Sequence, residues 1–147
     1  MNIIYTRTYN LKEQEVKFVQ GVAGIYFIFL TDIAIAYPFE ASRLIYIGMS
    51  ESRQNSIVMR LRGHLTGQSG NLGISNYAKT HSVKFTFYSA DVLRNYGNDN
   101  VFDMESFFLS DFLLHHGSFP ICNGQAGHQP SDTGKKITAK VDWPFFQ

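Results

Sequence analysis

The chain reads as an α+β protein, a small antiparallel three-stranded sheet flanked by helices. The run Val22-Ala23-Gly24-Ile25-Tyr26-Phe27-Ile28-Phe29-Leu30 is apolar and rich in β-branched and aromatic residues, and it is too short to span a bilayer, so it reads as a buried strand. Leu44-Ile45-Tyr46-Ile47-Gly48 reads as its hairpin partner. Val83-Lys84-Phe85-Thr86-Phe87-Tyr88-Ser89 alternates as a half-buried third strand does.

The other elements follow in order. The first 20 residues carry no clear period. The hairpin connection, 31–43, is longer than a minimal turn. After the polar segment 50–55, residues 56–65 have helical spacing: Ile57, Leu61 and Leu65 share one side, and Arg60 and His64, four apart, share another. A second helix is expected near 74–81. Asp99 is placed to cap a long helix that runs to His116, ended by Gly117 with Pro120 beyond. His115 and His116 suit the negative end of that helix, as a cap rather than as ligands. The stretch 124–136, rich in Gly, Ser, Asp and Pro, reads as loop, and the aromatic segment 141–146 docks back on the domain or on a partner. One domain over 1–147 is expected, with a core at about 21–124 and extensions at 1–20 and 125–147.

Composition narrows the chemistry. A single cysteine, Cys122, offers no internal disulfide and suits a reducing cytoplasm. No secretory signal, Cys/His zinc spacing or glycine-rich phosphate loop is evident, nothing supports a serine or cysteine nucleophile, and no membrane partner is expected. The formal net charge is only +1, but Arg53, Arg60, Arg62, His64, Lys79 and Lys84 fall together in the central segment. Affinity for a polyanion follows local charge, so a local basic groove with Arg53, Arg62, Lys79 and Lys84 as contacts is one expectation; the other, favoured for Arg53, Lys79 and Lys84 taken singly, is that these are ordinary solvated charges. In the long helix, Val101, Glu105, Phe108 and Phe112 follow steps of four, three and four, so Glu105 interrupts an apolar stripe. A carboxylate there should face a cleft, a metal ion or a cation such as Arg60.

The ordered series Gly24-Ile25-Tyr26, Tyr46-Ile47-Gly48, Arg60-x-x-x-His64, Glu105 and Asn123 resembles the GIY-YIG nuclease superfamily over about residues 21–124. The four-residue spacing selects Arg60 over Arg62, and the long hairpin connection is similar to that of the restriction-endonuclease members. The resemblance implies a metal-dependent endonuclease that hydrolyses phosphodiester bonds in duplex DNA, of restriction or mobile-element type. It implies one Mg²⁺ or Mn²⁺ per active site on Glu105, Arg60 against the phosphate, and Tyr46 or Tyr26 deprotonating the attacking water. It further implies His64 orienting that tyrosine, Asn123 near phosphate or a water, and either a homodimer or a DNA-reading partner protein. The alternative is a binding or effector module of this fold in a larger defence or DNA-processing complex, with little activity alone.

Overall fold

A computed structural model describes residues 2–5, 7–94, 100–124, 137 and 139–147. Its centre is a four-stranded antiparallel sheet in the order β2-β7-β3-β6, built from β2 (Tyr9–Asn10), β3 (Gly24–Leu30), β6 (Leu44–Ser50) and β7 (Val83–Ser89). The class is α+β as read, but with a fourth strand. Tyr9 and Asn10 pair with Phe85 and Lys84, and two residues are too few to show a period of two in sequence. The connection at 31–43 carries its own short ribbon, β4 (Ile35–Ala36) against β5 (Ala41–Ser42). A separate parallel pair joins β1 (Asn2–Ile3) to β8 (Lys140–Val141).

Alternation along β3 builds two cores. Ile25, Phe27 and Phe29 face one cluster, whereas Tyr26, Ile28 and Leu30 face the other. The first cluster is covered by α5 (Val101–His116), which presents Met104, Phe108 and Phe112. The second is covered by α1 (Glu13–Val16), α2 (Ile57–Thr66) and α3 (Leu72–Thr80), through Val16, Ile57, Val58, Leu61 and Ile74. A short α4 (Ala90–Leu93) follows β7. In β6, the partners of Ile28 and Phe29 are Tyr46 and Leu44, so Ile45 is an extra residue in a β-bulge. The bulge breaks the alternation: Leu44 joins the first core, and Ile45 and Tyr46 both turn to the second.

Helix ends follow local chemistry. Asn100 caps α5, its side-chain oxygen accepting from the amides of Phe102 and Asp103; Asp99 lies outside the described residues. Gly117, at φ 79°, ends that helix as read. His115 and His116 each donate from Nδ1 to the carbonyl four residues back, at 2.9 and 3.1 Å. His116, however, is fully buried and stacked on Phe112 at 3.9 Å, and burial lowers its pKa. It serves the helix end as a packed neutral ring and not as a surface cation.

The aromatic segment at the end of the chain docks on the domain. Trp143 and Phe146 are buried in the first core with Ile3, Tyr5 and Val141. Trp143 Nε1 donates to Asp111 at 2.8 Å. Arg43 ties this segment to the hairpin, its guanidinium donating to the carbonyls of Leu30 at 3.1 Å, Phe145 at 2.8 Å and Gln147 at 3.3 Å. Trp143→Ala is expected to cost about 3–5 kcal/mol, through lost burial and an orphaned Asp111 contact. Urea unfolding followed by circular dichroism reads that loss; a midpoint equal to wild type would show that this segment is not part of the folding unit. The stretch 125–136, read as loop, lies outside the described residues. No described helix is long and apolar enough to cross a membrane.

Candidate active site

The two tyrosines of the hairpin meet over a glycine. Tyr26 pairs in register with Gly48 across β3 and β6, and the rings of Tyr26 and Tyr46 lie 6.0 Å apart. A Cβ at position 48 would fall 2.4 Å from Tyr26 Cζ and 2.7 Å from Tyr46 Cε1, so glycine is required there for both rings to lie down. On the facing helix α2, His64 closes the group. Its Nε2 is 3.0 Å from the Tyr26 hydroxyl, and its ring is 5.2 Å from that of Tyr46.

These side chains line a cavity of about 320 Å³, with Asn55, Met59, Arg60, Gly63, Gln68, Ser69 and Asn71 completing the wall. Arg60 is exposed on α2 and is the one cation among the lining residues apart from the imidazole. Glu105 is half-buried on α5, the helix that packs on β6 and β3 from the opposite core. Its charge nevertheless reaches both tyrosines.

Electrostatics set the protonation. Burial, then the charge of Glu105, raise the Tyr46 pKa, with Tyr26 and Arg60 opposing. Tyr26 is held well above the ordinary phenol value, chiefly by burial and then by Tyr46. Both are phenols at neutral pH. His64 is pushed down to about 4, by burial first and then by Arg60, so it is a neutral ring. An unfolded histidine has a pKa of about 6.5, so His64 contributes full stability above that value. As pH falls from 6.5 towards 4, the unfolded chain takes up a proton that the folded chain refuses, and stability drops by up to about 3 kcal/mol. His64→Gln should remove that part of the acid sensitivity in unfolding midpoints measured between pH 7.5 and 4.5; an unaltered pH profile would show that the ring titrates in the fold as it does in the unfolded chain. The lowered pKa of His116 adds a second contribution of the same sign.

Asn123 stands behind the site. Its side-chain oxygen accepts from the Ile47 amide at 3.0 Å, and its nitrogen donates to the Ile47 carbonyl at 2.8 Å. The amide of Cys122 donates to the Ile45 carbonyl at 2.8 Å. The loop thus occupies the outer edge of β6 on both sides of Tyr46, as another strand would, and holds that tyrosine in place. Tyr37 continues the seal, donating to the Leu44 carbonyl at 2.7 Å and accepting from the Ile121 amide at 2.9 Å. This geometry makes Asn123 a clamp on Tyr46.

The structure brings Tyr26, Tyr46, Arg60 and His64 to one cavity, with Glu105 acting on it and Asn123 bracing it. None of Arg53, Arg62, Lys79 and Lys84 lines it. Arg62 is committed to Glu13 at 2.7 Å. Lys79 is exposed on α3, and Lys84 lies beside β2, opposite Asn10. Arg53 lines a neighbouring cavity, also of about 320 Å³, together with Glu51, Asp91 and Arg94. Asn55, Ser69 and Asn71 did not stand out in the sequence, because Asn55 sits in a plain polar segment and Ser69 and Asn71, either side of Gly70, signal a turn and nothing more.

Among the described residues no group of three His, Cys, Asp or Glu side chains is arranged to hold a metal ion. Glu105 does not line the cavity, but it is a single half-buried carboxylate whose charge reaches both tyrosines, and one such carboxylate suits a hard divalent cation that keeps most of its waters. No protein-family model, curated protein or solved structure matches this chain.

Proposed function

We propose that this protein is a divalent-metal-dependent DNA endonuclease, of restriction or mobile-element type, and a member of the GIY-YIG superfamily that its motifs resemble. The observation that carries the reading is the convergence of Tyr26, Tyr46, Arg60 and His64 on one cavity from two strands and a helix, with the charge of Glu105 reaching both tyrosines.

In this reading a phosphodiester enters the cavity and meets the Arg60 guanidinium, whose planar donors match phosphate oxygens and whose charge gains value as the pentavalent arrangement forms. Glu105 would hold the Mg²⁺ or Mn²⁺, which when bound supplies Lewis-acid polarisation and a more acidic water. A tyrosine hydroxyl would hydrogen-bond the attacking water, and to take the water's proton that phenol must first release its own to solvent, a loss that the Arg60 charge favours. Neutral His64 anchors Tyr26 without adding a competing cation. Asn123 and the bulge keep Tyr46 pointed into the cavity. Incubating the purified chain with supercoiled plasmid and Mg²⁺ or Mn²⁺ tests this. Nicked or linear product that disappears with EDTA is the expected result, and intact plasmid in all conditions would overturn the endonuclease.

One observation favours a second reading. Apart from Arg60 the cavity wall is uncharged, Arg62 is spent on Glu13, and the net charge is only +1, so the chain has little to grip a duplex with. A homodimer or a DNA-reading partner would supply that grip, and the chain would then act as a module of a defence or DNA-processing complex.

A further inference from the structure

Asn71 opens α3 as its cap, and both ends of its carboxamide are engaged. The side-chain oxygen accepts from the Ile74 amide at 3.1 Å, and the side-chain nitrogen donates to the Cys122 carbonyl at 2.9 Å. A backbone amide only donates and a carbonyl only accepts, so these two partners fix which way the carboxamide is turned. The cap needs the oxygen alone, and aspartate or serine would serve a helix start as well as asparagine does. The nitrogen answers to something outside the helix.

What it reaches is the loop that covers the outer edge of β6. On its β6 side that loop gives the Cys122 amide to the Ile45 carbonyl, and both ends of the Asn123 side chain to the backbone of Ile47, so Tyr46 is bracketed. On its other side the loop meets the first turn of α3, where a Cβ at Gly73 would fall 2.8 Å from Cys122 Sγ. The backbone of Asn71 serves the opposite direction. Its amide donates to Ser69 Oγ at 3.2 Å, and that oxygen lies 2.9 Å from His64 Nδ1. One residue of the cavity wall therefore stands between the brace of Tyr46 and a neighbour of His64.

We propose that Asn71 is a positioning residue: through the Cys122 carbonyl it ties the α3 wall of the cavity to the loop that braces Tyr46, and so fixes where Tyr46 stands in the site. The part that Tyr46 plays in chemistry rests on the nuclease reading; the tie does not.

Hydrogen exchange of the full chain, followed by NMR amide by amide, reads the tie without any cutting assay. Asn71→Ser keeps an oxygen for the cap and loses the reach to Cys122, and Asn71→Asp keeps the cap while turning a carboxylate oxygen on the Cys122 carbonyl. In both variants the Cys122 and Ile47 amides should exchange about tenfold faster than in wild type, the worth of one hydrogen bond, while Ile74 and, in the middle of α5, Phe108 keep their wild-type rates. A residue that only caps α3 predicts no change at Cys122 and Ile47, and a general loss of stability predicts the same change at all four amides; either result would overturn the proposal. In Asn71→Ser the Tyr46 phenol, whose pKa is raised first by burial, should also titrate at lower pH. If plasmid is cut, Asn71→Ser should lower kcat about tenfold or more with KM unchanged, and an unchanged kcat in a variant whose loop has loosened would take Asn71 out of the site. A wild type that cuts nothing would sink the nuclease reading and leave the exchange rates to decide the tie.

Discussion

Glu105→Ala is expected, on the proposed nuclease reading, to abolish metal-dependent plasmid cleavage, a loss of about a thousandfold or more, while the protein stays folded. The size follows from the site. Loss of a preorganised charge that acts on a reacting centre costs about 3–4 kcal/mol of transition-state stabilisation, and loss of the divalent cation that the proposed reading assigns to Glu105 would cost more. The fold should survive because Glu105 is half-buried and the packing of α5 rests on Val101, Met104, Phe108 and Phe112, all buried. Glu105→Gln keeps the shape and removes the charge, so it should be equally inactive. Cleavage at wild-type rate by either variant, in Mg²⁺ and with unchanged circular dichroism, would remove Glu105 from the site. The variants also carry a signature independent of turnover. Without the Glu105 charge, one cause of the raised Tyr46 pKa is gone, so ultraviolet titration of that phenol should move to lower pH.

Gly24→Ala should be the most damaging small change in the fold, at about 3 kcal/mol or more. Gly24 opens β3 with φ 154°, and a Cβ there would lie 2.0 Å from the Tyr88 carbonyl oxygen and 2.9 Å from Ser89 Cα. Those atoms are backbone of β7, so they have no rotamer to escape into, and the two central strands would have to part where Gly24 pairs with Ser89. Gly21→Ala is the control. Its φ of 75° also disfavours a side chain, but nothing lies within 4 Å, so about 1–2 kcal/mol is expected. Equal losses in urea unfolding of the two variants would mean that backbone strain, and not the approach of β7, is what Gly24 relieves.

These glycines show where sequence reading reached and where it stopped. The triplets around Tyr26 and Tyr46 were legible as strands because an apolar run without breaks states a buried strand directly, and β7 was legible from its alternation. The close approaches at Gly24 and Gly48 were readable only as a general allowance, since the atoms they avoid belong to residues 88 and 26. β2 was not legible, because two residues cannot display a period. The bulge at Ile45 was hidden for a related reason: it puts two consecutive residues on one face, and that pattern appears only once the partner strand is known. Glu105 was legible as a break in a stripe. The duty of Asn123 was not, because an Asn-Gly pair announces a turn whatever its amide holds. Ser69 was concealed in the same way, its partner being a ring whose position depends on how α2 meets the sheet.

The pairing of β1 with β8 also governs how the molecule is made. Ile3 and Val141, neighbours in one ladder, are separated by nearly the whole described chain, and the core they enter also holds Tyr5, Trp143 and Phe146. During synthesis the hairpin and α2 emerge early, but the first core stays open until residue 146 has cleared the ribosome. Ring closure over so long a loop is slow, which places folding with the high-contact-order domains, on the order of milliseconds to seconds. Until then Phe27, Phe29 and Phe108 stand exposed on the nascent chain, the kind of surface that chaperones hold.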